Sequence, residues 1–122
     1  MIKGIKFASI PVADQDRALE FYTQKLGFRV LTDQPFNDEQ RWIELSIPGA
    51  ETSVVLFTAD EHKDRIGTFG NLSFWSADVG RTYQELKAKG VEFSKPPTEE
   101  FWGWNALFKD DSGNWFSLGQ KK

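Results

Sequence analysis

The feature that most restricts what this chain can fold into is a repeat. Ser9, Ala13, Asp14 and Arg17 return 64 residues later as Ser73, Ala77, Asp78 and Arg81. A period of that length exceeds the unit of a solenoid and matches half of a small domain, so two copies of one unit are expected. In the first copy residues 5–12 are rich in β-formers. Asp14 then follows as a helix N-cap, and Ala18, Phe21, Tyr22 and Leu26 form an apolar stripe that ends at Gly27. Strands are predicted over 28–32, 41–47 and 53–58, with Pro48-Gly49 as the turn between the last two. The second copy repeats that order: a strand over 71–77, a helix over about 80–88 closing at Lys89-Gly90, and strands around Glu92-Phe93, 104–109 and 114–118. Asp111-Ser112-Gly113-Asn114 forms its last turn. Trp42-Ile43-Glu44-Leu45 and Trp104-Asn105-Ala106-Leu107 read as equivalent third strands.

One domain is expected from 122 residues with 39% hydrophobic content. Its first module spans about 5–58, a charged solvated linker about 59–68, and its second module about 69–119. The segment 98–103, after Pro96-Pro97, reads as an irregular loop. Fifteen Lys and Arg against 18 Asp and Glu leave a net charge of −3 and no basic block, which argues against nucleic acid as a partner. No apolar run approaches the ~18 residues of a membrane span, and the first residues lack the apolar stretch of a secretory signal, so a cytoplasmic location is expected. The chain has no cysteine, which excludes thiolate nucleophiles, disulfides and zinc–thiolate sites. Its one histidine, His62, lies in the charged linker and reads as a surface residue.

Ile10-Pro11-Val12-Ala13-Asp14, leading to Ala18-Leu19-Glu20-Phe21-Tyr22 and Leu26-Gly27-Phe28, resembles the vicinal oxygen chelate superfamily. That group contains glyoxalase I, bleomycin-resistance proteins and extradiol dioxygenases. Asp110-Asp111-Ser112-Gly113-Asn114 adds to the resemblance, with Asp111 where the family usually has Pro. The resemblance implies an α+β fold of two βαβββ modules whose curled mixed sheets surround a cavity, commonly completed as a homodimer. It also implies metal ligands on the first and fourth strands of each module. Those positions fall on Phe7, Leu56, Asn71 and Ser117, none of them a histidine or carboxylate, so no metal and no other cofactor is expected.

Strand alternation assigns Ala8, Ile10 and Val12 to the helix side and leaves Phe7 and Ser9 facing the cavity. In the third strand Ile43, Leu45 and Ile47 make the core face, which turns Trp42, Glu44 and Ser46 the other way; Asn71, Ser73 and Trp75 share one parity in the second module. Aromatic residues are 15% of the chain. Trp42, Trp75, Trp102 and Trp104 are candidate walls for a flat ligand. In Glu99-Glu100-Phe101-Trp102-Gly103-Trp104, acids beside aromatics suit a cationic, aromatic-bearing molecule. The leading expectation is a small-molecule binding protein that sequesters such a ligand and resembles the bleomycin-resistance branch. The alternatives are a metal-independent lyase or isomerase with Glu44 as general base, and an accessory module that dimerises and docks to another protein.

Overall fold

Both helices begin in the same way. Asp14 and Asp78 are extended residues whose carboxylates accept the backbone N–H of Arg17 and Arg81, each at 3.0 Å. Each satisfies one of the donors a helix start leaves without an intrahelical partner. The computed structural model describes residues 1–58 and 60–120, with the backbone alone for 60–62 and 71. It contains two compact units, Met1–Ile66 and Gly67–Lys122.

In the first unit β1 (Phe7–Pro11) is followed by α1 (Gln15–Glu20), β2 (Arg29–Pro35), β3 (Arg41–Ser46) and β4 (Ser53–Phe57). The sheet order is β1-β4-β3-β2, with β1 parallel to β4 and the other pairs antiparallel. The first helix was expected to continue to Leu26 as one α-helix; instead a π-helical turn occupies Phe21–Lys25. The Thr23 hydroxyl donates to the Leu19 carbonyl at 2.7 Å and competes with the regular backbone ladder. Leu26 N–H then reaches back to the Phe21 carbonyl, and Phe28 N–H to Tyr22.

Register separates the two faces of this sheet. Ile10 pairs with Leu56, Leu56 with Ile43, and Leu45 with Val54. Cross-strand partners share a face, so these residues form the core under Ala18, Tyr22 and Phe28. The buried Gln15 amide joins helix and sheet: its Nε2 donates to the carbonyls of Arg41 (2.8 Å) and Leu56 (3.0 Å), and its Oε1 accepts from Arg41 N–H (3.0 Å). The other face carries Phe7, Ser9, Trp42, Glu44, Ser53 and Val55.

The second unit runs β5 (Phe69–Ser76), α2 (Val79–Ala88), β6 (Glu92–Glu100), β7 (Gly103–Lys109) and β8 (Trp115–Gln120), in sheet order β5-β8-β7-β6. Phe74, Phe108 and Phe116 form its core, with ring centroids 5.4–5.9 Å apart. A Cβ at Gly70 would lie 2.2 Å from the Phe116 ring, so glycine is needed there for the approach of strand to ring. In the turn after β7, Asp110 Oδ1 accepts the N–H groups of Ser112 and Asn114, both at 2.9 Å.

Two further expectations change. Of the segment expected as an irregular loop, 98–100 belong to β6 and only 101–102 form the turn before β7; β6 is an edge strand with register shifts at Phe93/Lys95 and Lys95/Thr98, where proline withdraws no essential donor. Residues 60–65, expected as an irregular linker, form a 3-10 helix. Ala59 and the His62 side chain lie outside the described residues.

Candidate ligand-binding faces

On the face of the first sheet turned away from α1, Trp42 is the central side chain. Its indole meets Phe7 edge-on (centroids 5.6 Å apart, planes at 85°) and lies tilted against Phe36 (6.1 Å, 37°). Two residues along β3, Glu44 projects from the same face, because alternate residues of a strand point the same way. Trp42 Nε1–H approaches Glu44 Oε1 at 3.4 Å, and the Ser53 hydroxyl stands 2.6 Å from Glu44 Oε2. That hydroxyl also lies 3.3 Å from the Lys6 carbonyl and, with a single proton, can donate to one of the two at a time. A half-buried carboxylate bonded to Trp42, the indole that Phe7 and Phe36 flank, combines the two attractions a cationic, aromatic molecule needs: a negative charge and exposed π-faces.

Leu56 does not join this face. It is fully buried on the helix side with its register partners Ile10 and Ile43, and Val55 takes the position facing Ser9. The pairing Ser9–Val55 in the first unit corresponds to Ser73–Ser117 in the second. The Trp42–Trp104 equivalence also shifts by one residue: Ile43 pairs with Leu56 as Ala106 pairs with Leu118, which makes Asn105 the counterpart of Trp42.

In the second unit, Asn105 Nδ2 donates to the Ser117 hydroxyl at 2.5 Å, and the Ser73 hydroxyl lies 3.3 Å from the Ser117 carbonyl. Trp75 is 61% exposed at the Gly119 end of the same face. Trp104 has the parity of Ala106 and Phe108 and lies on the other face. Trp102 sits in the turn between β6 and β7, edge-on to Phe101 at 4.7 Å. The Asn71 side chain lies outside the described residues. The structure therefore groups Phe7, Trp42 and Glu44 on one sheet and Trp75 with Ser117 on the other, and sets Leu56, Trp102 and Trp104 apart from both groups. Phe36, Ser53 and Asn105 were missed by sequence reasoning; Ser53 becomes visible only once β3 and β4 are paired.

A cleft of about 370 Å³ opens on the helix side of the first unit beside Asp14, Asp16, Glu39 and Arg41. The Arg41 guanidinium is already engaged there by Asp33, through two bonds of 3.0 Å, and by Asp16. This bonding holds the Asp33 carboxyl below the usual carboxylate range, against an opposing push from burial.

The sequence pattern of the Glyoxalase/Bleomycin resistance protein/Dioxygenase superfamily matches residues 4–118. The chain belongs to this superfamily. The superfamily's fold is likewise shared by TnmS3, an antibiotic binding protein from Streptomyces sp. CB03234, with TM-score 0.88, 33% identity, and 99% of this chain and 98% of that one covered. Protein YetH of Bacillus subtilis is 36% identical over 118 residues, which is 97% of this chain and 98% of that protein. Lactoylglutathione lyase GLX1 of Arabidopsis thaliana is 32% identical over 117 residues, and the match spans 41% of that protein.

Superfamily enzymes place metal ligands on the first and fourth strands of each module, and the residues here do not fit a divalent metal. With register corrected, the four positions carry Phe7, Val55, Asn71 and Ser117, which supply no imidazole and no carboxylate. Among the described residues no three His, Cys, Asp or Glu side chains converge on a common point. Nor, among them, is any helix long and apolar enough to cross a membrane.

Proposed function

We propose that this chain is a metal-independent small-molecule binding protein that sequesters a cationic, aromatic-bearing ligand. The observation that carries this reading is the Glu44 carboxylate held by Ser53 and by Trp42, whose indole Phe7 and Phe36 flank. The likeness to an antibiotic binding protein across nearly the whole chain supports it. In this reading both units are modules of one domain that works in the cytoplasm as a homodimer. Ser117 and Trp75 offer further ligand contacts on the second module.

Isothermal titration against a panel of bleomycin-type and other cationic aromatic antibiotics tests the proposal, with quenching of tryptophan fluorescence as a second readout. Glu44→Gln should weaken a bound member by about tenfold or more, and Trp42→Ala by a similar factor, the scale of a partly desolvated cation–π or charge contact. Binding to no member of the panel, or a ligand indifferent to both substitutions, overturns the reading. Turnover of a bound ligand that Glu44→Gln abolishes would establish the lyase or isomerase alternative in its place.

A further inference from the structure

The second unit carries a cleft of about 410 Å³, lined by Gly67, Ser94, Leu107, Lys109, Gly113 and Trp115. From its chemistry we infer a separate binding site for a planar aromatic anion, an aryl carboxylate. This goes beyond the reading above, which places a cationic ligand against Glu44 in the other unit.

Three observations carry the inference. The first is an aromatic wall fixed in place. Trp115 meets Phe69 edge-on with centroids 4.3 Å apart, so its orientation is set before any ligand arrives. Leu107 and Lys109 stand beside it on the same face of the sheet, because Leu107 pairs with Ser117 and Lys109 with Trp115. The second is a cation only loosely compensated. Lys109 Nζ lies 3.9 Å from Glu92 Oε2, beyond hydrogen-bond length, and the Glu92 side chain is 71% exposed. The third is a polar group turned into the cleft by an irregularity of the backbone. Phe93 pairs with Phe108 and Lys95 with Leu107, which leaves Ser94 as the extra residue of a bulge, a feature that re-aims a side chain.

The remaining polar groups narrow the ligand class. Gly67 N–H is taken by Asn114 Oδ1 at 2.7 Å, and Gly113 N–H by the Asp110 carbonyl at 3.1 Å. These amides therefore cannot form the ring of donors that a phosphate needs. Lys109 and Ser94 suffice for one carboxylate, while Trp115 and Leu107 offer apolar surface to an attached ring system. A cleft of this volume lies within the range of small-molecule sites and takes one or two fused rings.

The test is calorimetric titration of the intact protein with 2-naphthoate, its uncharged analogue 2-naphthamide, and inorganic phosphate. Naphthoate should bind at least about tenfold more tightly than naphthamide, and phosphate more weakly than either. Lys109→Gln should abolish the preference for naphthoate over the amide, Trp115→Phe should weaken both aromatic ligands together, and Glu92→Gln should tighten naphthoate by removing a competitor for the ammonium. Glu44→Gln should leave all of these values unchanged, which separates this site from the one in the first unit. Equal affinity for naphthoate and naphthamide overturns the proposal, as does phosphate binding as tight as naphthoate. A Lys109→Gln protein that still prefers the anion, or naphthoate binding lost in Glu44→Gln, overturns it equally.

Discussion

Replacing Gln15 with leucine keeps the volume of a buried side chain and removes all its hydrogen bonds. In the native protein that amide serves three backbone groups: the Arg41 N–H, the Arg41 carbonyl and the Leu56 carbonyl, at 2.8–3.0 Å. The two Arg41 groups are partly exposed and regain water, so each loses only the net value of a hydrogen bond, about 1 kcal/mol. The Leu56 carbonyl is buried, so the bond it loses is not replaced by water and costs more, about 1–3 kcal/mol. Their sum minus the gain from a more apolar side chain comes to about 2–4 kcal/mol. For a chain of this size that corresponds to about 8–15 °C in melting temperature. Urea titration and thermal melting followed by far-ultraviolet circular dichroism measure it. The urea dependence of unfolding should keep its slope, because the surface exposed on unfolding is nearly the same. A Gln15→Leu protein within about 0.5 kcal/mol of wild type, the range of ordinary surface changes, would refute the reasoning.

Gly70→Ala places a methyl 2.2 Å from the Phe116 ring, which is itself core, and should destabilise by about 1–3 kcal/mol; an unchanged urea midpoint would contradict this close approach. The Arg41 partnership lowers the Asp33 pKa in the folded state, so its contribution is present above the unfolded value of about 3.9 and is lost as pH falls through the lower folded value. Asp33→Asn should therefore be less stable than wild type near neutrality, by no more than about 1 kcal/mol for a partly exposed pair, with the gap closing below about pH 4 in urea midpoints taken at several pH values. A gap that stays constant with pH would rule out the ion pair as its source. Ser53→Ala removes the donor at 2.6 Å from Glu44 and should weaken a cationic ligand of the first unit less than Glu44→Gln does, since the charge remains. A larger loss from Ser53→Ala in the same titration would mean that the hydroxyl touches the ligand itself.

The elements with clean alternation were legible from the sequence. In β1 and β3 one side is apolar and the other mixed, so the facings of Phe7, Trp42 and Glu44 followed from parity. In β4 that signal is absent. It is an interior strand in which Ser53, Val54, Val55 and Leu56 are all buried, and an unbroken apolar run does not reveal which of Val55 and Leu56 faces the helix. The Trp42–Trp104 comparison failed because side-chain identity was matched where hydrogen-bond register decides equivalence. The contact of Ser53 with Glu44 spans two strands, and no local pattern announces such a pair. The prolines of β6 were read as breakers, which is correct for an interior strand and wrong for an edge.

The segregation of the two sheet faces has an evolutionary consequence. Residues that hold helix to sheet and residues available to a ligand alternate along the chain, yet they never share a neighbourhood on the folded surface. Selection can therefore rewrite one set, position by position, while the other keeps the scaffold intact. Exchanging Phe7 for a histidine, or Ser117 for a glutamate, changes the chemistry of that face without altering a residue that packs under α1 or α2. A lineage with this architecture can lose one chemistry and acquire another by drift on a single face.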